Sequence, residues 1–187
     1  MDSTTVIIAA IIVAIGLVAA AGLIVYMRRR RTHELKSKFG PEYLRAVDES
    51  KNAREAEARL ERREKRVRSY AIHPLAAEAR ARFRERWREV QGEFVDSPKS
   101  AVKRADDLLG EVMQAKGYPI GDFEQQSADL SVDHPIVVQE YRAAHEIAIR
   151  EQQGEAGTED LRQAMIHYRT LFDELANDNP TSVRAAE

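Results

Sequence analysis

The chain has 187 residues, no cysteine and a formal net charge of −2. Disulfides, thiolate metal ligands and thiol nucleophiles are therefore excluded. The near-neutral total hides a division: residues 28–88 carry 20 Lys/Arg against 10 Asp/Glu, whereas residues 89–187 carry 9 against 20.

Val6 to Met27 is an unbroken apolar run of 22 residues, closed by Arg28, Arg29, Arg30 and Arg31. A run of that length without charge reads as a transmembrane helix, since about 20 residues cross a bilayer. Only a helix satisfies its backbone in lipid. Basic residues mark the cytoplasmic side. The leading segment MDSTT carries only Asp2. The expected topology is a single pass in the plasma (inner) membrane, with the N-terminus outside and the large C-terminal part in the cytoplasm. Tyr26 stands where an interfacial aromatic anchor would. A cleaved secretory signal fits poorly, because its basic residues precede a shorter apolar stretch. Gly16 and Ala20 give one small-xxx-small spacing of the kind that pairs helices. The four arginines are also the expected membrane-side basic residues, within reach of anionic lipid headgroups.

The remaining 156 residues suffice for one domain with a core, and everything in them reads helical. Gly40-Pro41 restarts the chain, and a charged juxtamembrane helix is expected from Pro41 to about Ser69. Its apolar stripe is thin, with Ala53, Leu60 and Val67 seven apart, which permits a short coiled-coil contact. His73-Pro74 breaks it. A helix from about Pro74 to Val95 carries the stripe Ala79, Phe83, Trp87, Val90 and Phe94. Asp96-Ser97-Pro98 reads as a cap and proline start. The helix to about 116 faces inward with Val102, Ala105, Leu109 and Val112, and Gly117 suits its C-terminal stop. A short helix from Asp122 to near Leu130 follows, then one opened by Asp133-His134-Pro135 and running to about Gln152, with Val138, Tyr141, His145 and Ala148 inward. Thr158 is expected to cap the last helix, whose stripe is Leu161, Met165, Tyr168, Phe172 and Leu175.

The reading is all-α: an anchor with basic stop at 1–31 (span 6–27), a charged juxtamembrane helix at 32–73, a four- to five-helix bundle at 74–176 and a tail at 177–187. The basic and acidic parts are expected to dock partly on each other.

Motifs for chemistry are sparse. There is no phosphate-cradling glycine loop and no catalytic signature. Arginines 80, 82, 84, 86 and 88 interleave with Phe83 and Trp87, a composition shared with nucleic-acid binders. Here both aromatics fall on the apolar stripe, so the arginines are expected to cover its edges with their stems, and nucleic acid is disfavoured. A metal or hydrolytic site from His145, His167 and Asp133 is conceivable by residue type, though the spacing is not diagnostic. No cofactor, metal or catalytic residue is assigned, and an enzyme is not expected. The linker GYPIGDFEQQSADLSVDHP is polar and rich in turn signals. It supplies a candidate interaction surface of Tyr118, Phe123, Asp129, Asp133 and His134, the alternative being that it merely caps and plugs the joints between helices.

The blocks FGPEYLRAV, AEARLERREKR, FVDSPKSAVKRADDLL, GYPIGDFEQQSADLSVDHPIVVQEYRAAH and TEDLRQAMIHYRTLFDEL resemble a widespread, functionally uncharacterised family of bacterial single-span membrane proteins. The resemblance implies an N-terminal anchor followed by a helical domain, and it transfers no catalytic residues. The functional expectation is a membrane-tethered cytoplasmic interaction or scaffold module. Its partners would be the lipid bilayer, a protein still to be identified and, alternatively, anionic lipid or nucleic acid through the Arg-rich helices.

Overall fold

The computed structural model describes residues 3–177, with side-chain surroundings from Ala14 onward. Of the expected tail, only Asn177 falls among them. The described residues form eight α-helices and no strand. They divide into two compact units, one through Lys38 and one from Phe39.

The first unit takes in helix α1 (Ser3–Phe39) up to Lys38, and the helix continues from the apolar run through the four arginines without a break. Among the described residues, no helix is long and apolar enough to cross a membrane. The expected span begins at Val6, and the side chains of its first eight residues lie outside the described set. The remaining stretch, Ala14 to Met27, rises only about 21 Å against a hydrocarbon core of about 30 Å.

In the second unit, α2 (Pro41–Ser50) and α3 (Ala53–Val67) form a helical hairpin. The sequence predicts one helix here. It breaks because Lys51 adopts the left-handed conformation (φ 52°) and Asn52 is extended, its side chain accepting from the Arg54 N–H at 3.0 Å. That is an N-cap, and it satisfies one of the first orphan donors of α3. Two cross-braces hold the hairpin. The Tyr43 hydroxyl donates to Glu57 at 2.9 Å, and Arg59 reaches Glu49 at 2.7 Å. Of the expected heptad, Leu60 and Val67 are buried and Ala53 is exposed.

Helices α4 (Ala77–Glu93), α5 (Pro98–Ala115), α6 (Phe123–Asp133), α7 (Val137–Gln152) and α8 (Thr158–Asn177) build the bundle. All five predicted stripe residues of α8 and the four of α5 are in its core. Trp87 stacks on Phe172 with ring centroids 4.8 Å apart and planes 12° from parallel. Burying each such side chain contributes about 1.5–3 kcal/mol.

The joint after α5 is tight. The Tyr118 N–H bonds to Met113 O at 3.0 Å and the Gly117 N–H to Gln114 O at 2.9 Å, a Schellman stop with Gly117 at φ +98°. The extended chain near Ala71 lies against this turn, and the His73 N–H bonds to Lys116 O at 2.9 Å. Three expected caps differ. Ser97 stands at the N-cap of α5 but makes no side-chain capping bond. Asp133 is the last residue of α6, its carboxylate accepting from the Tyr118 hydroxyl at 3.0 Å, and α7 begins only at Val137. At α8 the capping contact runs from the Gly157 N–H to Asp160 at 2.9 Å, so Thr158 is already helical.

Candidate functional site

The densest polar constellation lies where the α2–α3 hairpin meets α6 and α7. Glu42 follows Pro41 in the first turn of α2, and its carboxylate is 1% exposed. It accepts from Gln139 Nε2 at 2.6 Å and from Arg142 Nε and Nη2 at 3.3 and 3.1 Å, with Arg63 Nη1 at 3.5 Å. Gln139 and Arg142 are one helical turn apart on α7, so they address one carboxylate together. Arg142 Nη1 also donates to the Ser127 hydroxyl at 2.9 Å.

A second carboxylate, Asp129 of α6, is equally buried. Arg66 of α3 grips its Oδ1 with two nitrogens, Nε at 2.8 Å, while Oδ2 accepts from the Tyr70 hydroxyl at 3.1 Å and Gln125 at 2.8 Å. Arg63 reaches the buried Ser131 hydroxyl at 3.5 Å. Each buried acid thus has a guanidinium and further donors, the condition under which charge is tolerated inside a protein. The expected docking of the basic part on the acidic part takes this form. Burial pushes the Arg63 pKa down, and Glu42 opposes that.

Beside the seam, α3 and the start of α6 enclose a cleft of about 420 Å³ lined by Arg59, Arg62, Arg63 and Arg66 together with Glu49, Asp122 and Glu124. Three of the four arginines are committed to Glu49, Glu42 and Asp129, which leaves little net field for an anion.

The five residues of the expected interaction surface do not form one exposed patch. Tyr118 and Asp129 are buried, and Phe123 packs against the core. Asp133 holds Tyr118, and His134 Nδ1 is 3.1 Å from Glu174. They are joints between helices, and Asp129 alone among them belongs to the charged seam. Asp122 does cap α6, accepting from the Gln125 N–H at 2.8 Å.

His145, His167 and Asp133 do not converge. His145 stacks on Phe123 with centroids 3.5 Å apart, His167 pairs with Glu140, and Asp133 holds Tyr118. Among the described residues, no group of three His, Asp or Glu could hold a metal ion. Around His145 lies a half-buried titratable group. Its Nδ1 is buried without a hydrogen-bond partner among the described residues. Burial pulls its pKa below the ordinary 6.5, and Asp106 partly offsets this. Burial also pushes Asp106 up, although it accepts from the Tyr168 hydroxyl at 3.1 Å.

On α4, Trp87 is buried and Phe83 partly so, while Arg86 pairs with Glu111 and Arg84 with Asn177. Of the five arginines, Arg86 lies over the Phe83 ring at 5.9 Å and Arg80 is half-buried, whereas Arg82, Arg84 and Arg88 are exposed. Sequence reasoning missed Glu42, Arg63, Arg66, Gln139 and Arg142. Their only local signal was a glutamate and an arginine inside otherwise buried turns of α2 and α7. No protein-family model, curated protein or solved structure matches the chain.

Proposed function

We propose that the chain is a membrane-tethered helical interaction module, anchored by its N-terminal run with the bundle on the cytoplasmic side. The observation that carries this reading is the apolar run Val6–Met27 continuing into four exposed arginines within one helix. At 1.5 Å per residue the 22-residue run is about 33 Å long, which matches a hydrocarbon core of about 30 Å. The arginines oppose translocation and gain roughly 1 kcal/mol each near anionic headgroups. The resemblance to bacterial single-span proteins agrees with it.

Tethering would raise the bundle's local concentration at the membrane and so favour a partner held there too. The carboxylates of the seam serve the fold: Glu42 and Asp129 are saturated by guanidinium and amide donors. That favours a binding role over an acid–base role for the second unit.

The test is alkaline extraction of membranes, combined with protease applied to intact and to inverted vesicles. The expected result is a chain retained after extraction and digested beyond Arg31 only in inverted vesicles. Deleting residues 6–27 should release it. A full-length chain that washes off the membrane, or a bundle digested from the outer face, refutes the reading.

A further inference from the structure

The α2–α3 hairpin is held to the bundle differently from the way the bundle is held to itself. Tyr43, Ala46, Ala56, Leu60 and Val67 are buried, yet none belongs to the main core. The joint carries charge exchanged in both directions. Glu42 of the hairpin takes Arg142 of α7, and Asp129 of α6 takes Arg66 of the hairpin. Buried ion pairs give little net stability, because desolvation offsets most of their attraction. Polar joints of this kind resemble surfaces that associate and part. The hairpin is also internally braced by Tyr43–Glu57 and Arg59–Glu49. It is bounded by Gly40 at φ +46° on one side, and on the other by the chain pinned at His73 to Lys116.

We infer that the face of α6 that carries Asp129 and Ser131 is a docking surface for a basic helix with arginines three residues apart, and that the chain's own α3 occupies it in cis. Two contacts supply the recognising chemistry. Asp129 takes a two-nitrogen grip from a guanidinium at position 66, and the Ser131 hydroxyl takes one from position 63. A helix presenting that pair in trans would make the same contacts once α3 has swung away. This deepens the interaction-module reading, on which its use rests. Its test needs no membrane, so the two can fail separately.

The experiment uses the full chain in detergent micelles and a labelled peptide of residues 53–70, followed by fluorescence anisotropy. In one form of the chain, Arg63→Ala and Arg66→Ala together vacate the surface. The expected result is binding to that form at least about tenfold tighter than to the parent, weakened by salt. Binding should be lost when the peptide carries Arg66→Ala or the vacated chain carries Asp129→Asn. Equal binding to parent and vacated chain, or no binding to the vacated chain, overturns the inference. Should the vacated form fail to fold, hydrogen exchange on the parent decides. Residues 41–67 should lose protection at about 1 M salt while 98–115 and 158–176 keep theirs, and a single cooperative loss across all three segments overturns it.

Discussion

Gly117→Ala probes a turn where backbone meets backbone with no room for a side chain. An added Cβ would stand 2.3 Å from Ala71 O and 3.0 Å from its carbonyl carbon. Neither is the mobile end of a side chain, so the connecting segment at 71–73 must move. The φ of +98° is itself strained for alanine, at about 1–3 kcal/mol. Displacing that segment also breaks the bond from His73 N–H to Lys116 O, worth about 1 kcal/mol. The combined cost is about 3 kcal/mol, or roughly 10 °C in Tm for a unit of this size. Thermal unfolding followed by circular dichroism at 222 nm is the assay. Gly110→Ala is the control: it lies within α5 with nothing within 4 Å of the new Cβ, and should gain about 0.5–1 kcal/mol. If Gly117→Ala melts within about 2 °C of the parent, the close approach at this turn is not what fixes the α5 joint.

Glu42→Gln should cost about 3 kcal/mol, because it leaves the buried Arg142 uncompensated. Glu42→Leu combined with Arg142→Met should cost less than either single change in urea unfolding, and simple additivity would contradict the pairing. Trp87 is the sole tryptophan and is stacked in the core, so the native emission should be blue-shifted, and Trp87→Ala should cost about 3–5 kcal/mol. A solvent-like emission maximum would contradict the burial. His145 has its folded pKa lowered below 6.5, so in the window below that value the unfolded chain binds more protons. Its contribution to stability therefore falls as pH drops under 6.5 and recovers above it. His145→Phe should flatten that part of the stability profile while preserving the stack on Phe123, and an unchanged slope would assign the dependence to other groups. Asp122→Ala should cost about 1 kcal/mol through loss of its cap on α6, read as a lower urea midpoint at constant m-value.

The sequence by itself determined what is periodic and local. The apolar spacing of α5 and α8, the proline start at Pro98, the glycine stop at Gly117 and the cap at Asp122 are set by residues a few positions apart, and the structure has them where the pattern places them. The break at Lys51 was harder to see, since lysine rarely takes a left-handed conformation and only Asn52 hinted at a cap. What only the tertiary structure decided is which charges meet. Glu42 and Arg142 are a hundred positions apart, and Asp129 and Arg66 sixty-three. Any of the many acids and bases in this chain could have been solvated instead. A helix's period tells which face is apolar, but it does not tell which neighbour will cover a polar residue on that face's edge. For that reason Asp129 read as surface and proved to be buried under an arginine.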